Sequence, residues 1–343
     1  MNSINKFLVI LLAAIIVLAG VGGAAAQNDR YHIVTTIFPI FDFTRIVAGD
    51  TMSVTLILPA GADSHSFEPT PSDIMTVQDA DLFLYIGGES DGWVDRILSS
   101  FGDKKPATVA LIQSVRGLNE EIVEGMQHDS SHDEHDDDGD EYHDENDDEK
   151  HDDDDDNDES DSHSHSDGVI DEHIWTSPTN AILMTEKIRD ALSALDPANS
   201  ALFAANAEAY INELKQLDAD FRSMVASSKR KVFVVGDRFP FRYLAHDYGL
   251  EYYAAFPGCS TDNDPGASTV AFLIDKVREY NLPVVFTLEN SNQVIAKTIA
   301  DATGARVEVL NAAHNVGGNA NLEQTSYLSI MHENVEKLRE ALN

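Results

Sequence analysis

Cysteine is nearly absent from this chain of 343 residues, Cys259 being the single one. No intramolecular disulfide can form, so stability must come from packing, from a bound metal or from both. That thiol also lies far from the N-terminus, which excludes a lipid-carrying cysteine directly after an export signal. Basic residues are scarce as well. Lys and Arg number 23 against 60 Asp and Glu, a formal net charge of -37. Nucleic acid and anionic bilayers carry the same sign, so unaided binding to either is excluded and cations are the expected partners. The short zinc motifs HExxH and CxxC are missing too, so a specific metal site has to draw its ligands from separate loops. With 43% hydrophobic and 24% charged residues, a chain disordered throughout, a fibre and a polytopic membrane protein are excluded, and a real core is expected.

What is present begins with an export pattern. Lys6 precedes an apolar stretch over 7–19, and small residues ending in Ala24, Ala25 and Ala26 follow. Residues 1–26 therefore read as a signal peptide, with an uncleaved anchor as the alternative on length grounds. From Tyr31 short β-rich apolar runs alternate with helical stretches, which argues for an α/β fold with mainly parallel sheets. Strands are expected at 31–38, 54–58, 82–86 and 108–111, with helices at 71–80 and 93–101. A second set of strands falls at 232–235, 252–256, 284–288 and 307–310, with helices at 269–280, 292–303 and 322–342. Gly304 suits the stop of the middle helix. Two lobes, 31–195 and 229–343, are thus indicated.

Between them, 196–228 reads as one long helix. Asp196 and Pro197 form a cap and first-turn pair, and Tyr210, Leu214, Leu217, Phe221 and Met224 make one apolar stripe. Over 197–227 it would run about 46 Å, enough to span two domains as a rigid joint. Packing within one lobe satisfies the same stripe.

Residues 127–167 are a low-complexity insert. From His128 to Asp167 there are 22 acids to one base, and seven of the 13 histidines of the whole chain (His128, His132, His135, His143, His151, His163 and His165) fall here. With one aromatic and no aliphatic residue it cannot offset its ordering entropy by burial, so a disordered loop is expected. Acidity alone makes a solvated spacer, but imidazoles in that number favour weak capture of divalent cations at many sites.

Two further histidines sit in ordered contexts. His65 lies in GADSHSFEPTPSD, a turn-rich loop after a strand, where open α/β sheets bind ligands. His173 lies in DEHIW, just before a helix. Taken singly, either is equally a capping or packing residue. Together with the interlobe helix, the YLAHDYGL element and the C-terminal TSYLSIMHENVEKLREAL, these motifs resemble the substrate-binding proteins of zinc/manganese-uptake ABC transporters over most of the chain from Tyr31 onward. Zinc-specific members of that family also carry an acidic His-rich insert before the second ligand motif.

The resemblance implies two α/β lobes joined by one long helix, with one metal ion between them. His65 and His173 match the histidines of the N-terminal lobe. The third ligand follows the first strand of the second lobe, where the usual His is missing; Asp237 is the substitute by position, with a salt bridge to Arg238 or Arg242 as its alternative role. His314 matches the fourth, and Glu289 is a reserve ligand. Three imidazoles and one carboxylate suit zinc better than manganese. Glu68, Asp171 and Glu172 are candidates to orient the rings. Cys259 reads either as a thiolate ligand or, more commonly for a lone loop cysteine, as unliganded. The implied protein is an extracytoplasmic, monomeric carrier that delivers the ion to a membrane permease and is not an enzyme. A secreted zinc hydrolase and a metal buffer acting through the insert are the rival readings.

Overall fold

Parallel strands need crossover connections, and the alternation of apolar runs with amphipathic segments supplies them. A computed structural model describes residues 30–126, 169–260, 265–318, 320–322 and 324–343; the segments read as signal or anchor (1–26) and as acidic insert (127–167) lie outside the described residues. The N-terminal lobe contains β1 (His32–Thr35), α1 (Phe38–Ala48), β2 (Ser53–Leu56), α2 (Pro71–Gln78), β3 (Leu82–Tyr85), α3 (Gly92–Ser100) and β4 (Ala107–Ala110). Then come α4 (Pro178–Leu195) and α5 (Ser200–Ser227). The C-terminal lobe follows with β5 (Val232–Phe239), α6 (Arg242–Tyr248), β6 (Glu251–Pro257), α7 (Ala267–Glu279), β7 (Val284–Thr287), α8 (Val294–Thr303), β8 (Arg306–Val309) and α9 (Tyr327–Ala341).

Each lobe has one four-stranded parallel sheet, in the orders β2-β1-β3-β4 and β6-β5-β7-β8, so the second repeats the topology of the first. In both, the first strand pairs with strands on either side. Loops at the carboxyl ends of such strands line a shared crevice. Among the described residues no helix is long and apolar enough to cross a membrane.

Two expectations need correction. The run 31–38 is not one strand: β1 stops at Thr35 and α1 starts at Phe38, with Pro39 in its first turn. In α1 Phe38, Ile40, Phe43 and Val47 have no exposed surface and the polar Asp42 and Thr44 are buried too, which erases the one-sided period that marks a surface helix. The expected strand 232–235 continues to Phe239 across a register shift against β6 between Val235 and Arg238. Such an irregularity re-aims side chains, here Asp237 and Arg238.

The long helix α5 starts at Ser200 after a single 3₁₀ turn, Pro197–Asn199, in which Asp196 Oδ2 accepts from Asn199 Nδ2 at 2.6 Å. All five residues of the expected stripe are buried. The helix packs on α1 and α4 of the first lobe and on α9 and α6 of the second, so it belongs to both. One continuous core accordingly runs from Ile33 and Phe43 through Leu214 and Phe221 to Phe286 and Leu338. Polar ties reinforce it: buried Asp42 binds Arg45 at 2.6 Å and accepts from the Tyr327 backbone N–H at 2.8 Å, joining α1 to α9.

Leu214→Ala, which deletes a side chain without exposed surface midway along α5, is expected to cost about 2–5 kcal/mol. Urea unfolding followed by circular dichroism checks this. The transition should stay single, because the core crosses both lobes; two separated transitions would show that the lobes unfold independently.

Candidate metal centre

His65 sits in a 3₁₀ turn, Ser64–Ser66, after β2. Asp63 caps that turn, its Oδ1 accepting from the His65 backbone N–H at 3.0 Å. The ring is largely buried and its Nδ1 lies 3.6 Å from Oε1 of Glu172. Glu172 has no exposed surface and is itself fixed by the Ser90 N–H, which donates to Oε2 at 2.9 Å, and by the Ser90 hydroxyl. Gly88 makes room for it, since a Cβ there would fall 2.2 Å from Glu172 Oε2. The orienting role anticipated for Glu172 thus has a geometric basis. Glu68 is exposed, and its one ion pair among the described residues is with Arg96, at 3.9 Å.

His173 is wholly buried. Asp171 Oδ1 accepts from both its backbone N–H and its Nδ1, each at 2.8 Å. A carboxylate can only accept, so Nδ1 carries the proton and Nε2 presents a lone pair. Burial opposes protonation of this ring, but the charge and hydrogen bond of Asp171 hold its pKa above the ordinary value. Residues 118–120 pair with 169–171 through Asp171 N to Leu118 O (2.9 Å) and Glu120 N to Val169 O (2.8 Å). From the other lobe, the Tyr243 hydroxyl donates to the Asp171 carbonyl at 2.8 Å.

His314 follows β8 in a loop pinned by both lobes. Trp175 Nε1 donates to the Ala312 carbonyl at 2.7 Å, and Phe38 N donates to the His314 carbonyl at 3.1 Å. Asn315 Nδ2 donates to the carbonyls of Pro59 and Ala62 at 2.7 and 2.9 Å. Buried Asn334 on α9 brackets Asn311, and Ala313 takes a left-handed φ of 59°, a conformation uncommon outside glycine. These asparagines and Trp175 were not singled out from the sequence; their only signal there is a cluster of polar residues around a histidine.

The three rings meet. One ligand atom from each of His65, His173 and His314 lies within 4.8 Å of the other two, and ring centroids are 4.7–5.5 Å apart. Nitrogens sharing one tetrahedral zinc would be about 3.3 Å apart, so a small closure suffices. Nε2 of His173 and Nε2 of His314 are buried with no hydrogen-bond partner. Buried polar atoms are normally satisfied, and two buried imidazole nitrogens without a partner among the described residues, in one cluster with a third histidine, have the chemistry of a divalent-cation site. Burial, then His173 and the Arg238 charge, push His65 down to about 3, and burial, then His173, His65 and Arg238, push His314 well below its ordinary value. Those two imidazoles stay neutral near pH 7, the form that binds metal.

Asp237 does not join this group. Its Oδ2 accepts from the Thr287 hydroxyl (3.1 Å) and the Leu288 N–H (3.5 Å), and its Oδ1 accepts from the Arg238 N–H (2.9 Å). The register shift in β5 turns it to the β7 edge. Neither arginine bridges it: Arg238 pairs with Asp63 across the lobes at 2.8 Å, and Arg242 pairs with Glu121 at 3.0 Å. Glu289 lines the same cleft as His314, its Oε1 4.0 Å from Nδ1, while its Oε2 accepts from the Ala312 N–H at 2.7 Å. Burial raises Glu289 to about 7.

Cys259 forms a second group with Glu172 and His173, again within 4.8 Å. Burial, followed by the charges of Glu172, Glu120 and Asp171, holds it as a neutral thiol. Gly258 beside it touches His173: a Cβ there would lie 3.0 Å from Cε1 and 3.1 Å from Nδ1 of the ring, and 2.9 Å from the Phe239 carbonyl. Gly258→Ala is therefore expected to displace His173 and weaken metal binding by about 10–100-fold, the usual cost of disturbing what orients a ligand. Competitive zinc titration, with circular dichroism to confirm folding, reads this directly; unchanged affinity would mean that the ring can shift freely.

The model of the ZnuA family, described as zinc-uptake complex component A, periplasmic, matches residues 33–341. The chain is 31% identical over 313 residues to a zinc-binding lipoprotein AdcA of Streptococcus pneumoniae, covering 91% of this chain and 56% of that protein. It thus spans a little over half the length of the AdcA relatives it matches. It is 32% identical over 321 residues to the high-affinity zinc uptake system protein ZnuA of Bacillus subtilis, covering 94% of this chain and 90% of that one. In three dimensions it is similar to the Zn(II)-bound ZnuA-like domain of Streptococcus pneumoniae AdcA, with a TM-score of 0.68 at 29% identity, covering 91% of this chain and 99% of that domain. The chain belongs to the ZnuA family of zinc-uptake components.

Proposed function

We propose that this protein captures a zinc ion outside the cytoplasm and delivers it to the permease of an ABC transporter. The observation that carries the reading is the convergence of three imidazoles, two from loops of the first lobe and one from the second, with two buried Nε2 atoms left unpartnered. His65, His173 and His314 are the proposed ligands. Nitrogen ligands in a compact, buried geometry favour zinc over manganese, which suits oxygen-rich surroundings. The protein holds and releases the ion as a monomer without making or breaking a covalent bond. The zinc relatives and the family description support this over the hydrolase reading.

The acidic insert adds collection to capture. Its flanks pair at 118–120 with 169–171, two residues from His173, so cations concentrated by its carboxylates and histidines arrive beside the cleft. Residues 1–26 would direct export or retain the chain at the membrane. Lipid attachment, named for the pneumococcal relative, has no equivalent at Cys259, which packs next to His173. The core shared through α5 leaves small adjustments of the loops, not a hinge, as the motion that accompanies binding.

Competitive zinc and manganese titration of a chain lacking 127–167 tests the proposal. One tight zinc site should survive the deletion, and His65→Ala, His173→Ala and His314→Ala should each weaken it by more than the roughly 10–100-fold typical of changes outside the ligand set. Loss of all tight binding on deletion would leave only the buffer reading. Chelator-sensitive turnover of ester or peptide substrates would restore the hydrolase.

A further inference from the structure

The end of β5 adds no residue to the three-histidine group among the described residues, yet it ties down the loop that carries one of them. Asp237 fixes the backbone of Arg238 within the second lobe: its Oδ1 accepts from the Arg238 N–H at 2.9 Å and its Oδ2 from the Thr287 hydroxyl at 3.1 Å. Arg238 Nη2 then reaches across the lobes and donates to Oδ2 of Asp63 at 2.8 Å. The other oxygen of Asp63, Oδ1, accepts from the His65 backbone N–H at 3.0 Å. A line of bonds thus runs from the end of β7, through Asp237, Arg238 and Asp63, to the main chain of a proposed ligand.

The same loop has a second attachment to that lobe. Asn315 Nδ2 donates to the carbonyls of Pro59 and Ala62, and the Gly61 N–H donates to the Val316 carbonyl at 2.8 Å. Those bonds are uncharged, and Asn315 is buried. The ion pair is different. Asp63 is 43% exposed and Arg238 19%, against 6% for the His65 side chain and 14% for that of His314. All four line one cavity, so the pair lies nearer to solvent than the rings it adjoins. A pair with that much water around it is weak and opens without unfolding anything else. Of the two attachments it is the one that can be undone.

Resting on the zinc reading above, we infer that the Asp63–Arg238 pair is a latch between the lobes that positions His65 and sets how fast the ion leaves. Closed, it fastens the 3₁₀ turn of His65 to the lobe that carries His314. Open, that turn is held only through Asn315 and Val316, and His65 is free to withdraw from the other two rings. Asp63 and Arg238 are positioning residues and act on the ion through His65. Exit then waits on one salt bridge and not on a hinge, in keeping with the core shared through α5.

Stopped-flow release of Zn(II) from the loaded full chain into excess chromophoric chelator tests this. Ions held by the insert should leave in a fast phase, so the tight site is read from the slow one. Asp63→Asn, which keeps an oxygen for the His65 N–H, and Arg238→Gln should each speed the slow phase about fivefold, the upper end of what a partly exposed pair contributes. The double variant should be no faster than the quicker single, because both changes break one bond. Arg238→Lys should recover part of the slow release. Circular dichroism melting confirms that each variant folds. Charge acting through space alone gives opposite signs: Arg238→Gln would remove a repulsion from the cation and slow release while Asp63→Asn sped it. That result would overturn the inference and leave the zinc reading intact. So would unchanged release in both variants, additive acceleration in the double, or an equal effect of Arg242→Gln, which breaks the lobe-to-lobe pair with Glu121. Absence of any slow phase in the unaltered chain would sink the zinc reading, and the latch with it.

Discussion

An imidazole has two nitrogens, and fixing one decides where the other points. In this protein the Nδ1 edge of each central ring lies toward a carboxylate, most tightly at Asp171 and His173, and Nε2 of His173 and of His314 is buried without a partner among the described residues. The acids are held in turn by backbone N–H groups, so the chain of constraint runs from peptide geometry to carboxylate to ring. Such support is costly to assemble, because burying a polar atom without a partner is unfavourable by about 1–3 kcal/mol. Nε2 of His173 and of His314 is in that condition among the described residues, a cost that coordination of a metal ion would offset.

That arrangement survives only in a rigid frame. The three histidines arrive from both lobes, and a loose joint would let His314 drift from His65 and His173. The frame is the continuous core along α5, together with the loop over 310–318, which is tied to the first lobe through Trp175, Phe38, Pro59 and Ala62. The strain visible at Ala313, with its left-handed backbone, falls on the residue before His314. A strained residue persists where surrounding bonds over-determine it, and here Asn311, Asn334 and Trp175 do so.

Much of the architecture could be read in advance, because the alternation of β-rich runs and amphipathic segments is a local property. The errors came where burial removes that pattern. Helix α1 is apolar or buried on nearly every side, so it could not be told from the strand before it. The extension of β5 hides a register shift, and with it the side to which Asp237 turns, because pairing between strands leaves no mark within one of them. Asp171 and Glu172 were visible as possible orienting acids, but only the fold assigns one to each ring.

Composition and periodicity determined by themselves that this is an acidic, disulfide-free α/β protein with a long helix between two lobes and a histidine-rich tract. The histidine-bearing motifs, by their resemblance to a known family, added metal as the expected ligand. These features are legible because each depends on residues near one another along the chain. Tertiary structure decided which histidines meet, that Asp237 stays outside their group, and that Arg238 faces the cavity beside them. The physical reason is distance along the polypeptide: His65 and His314 come together only through two sheets and a shared core, and no local preference encodes a contact that two separately folded loops must make.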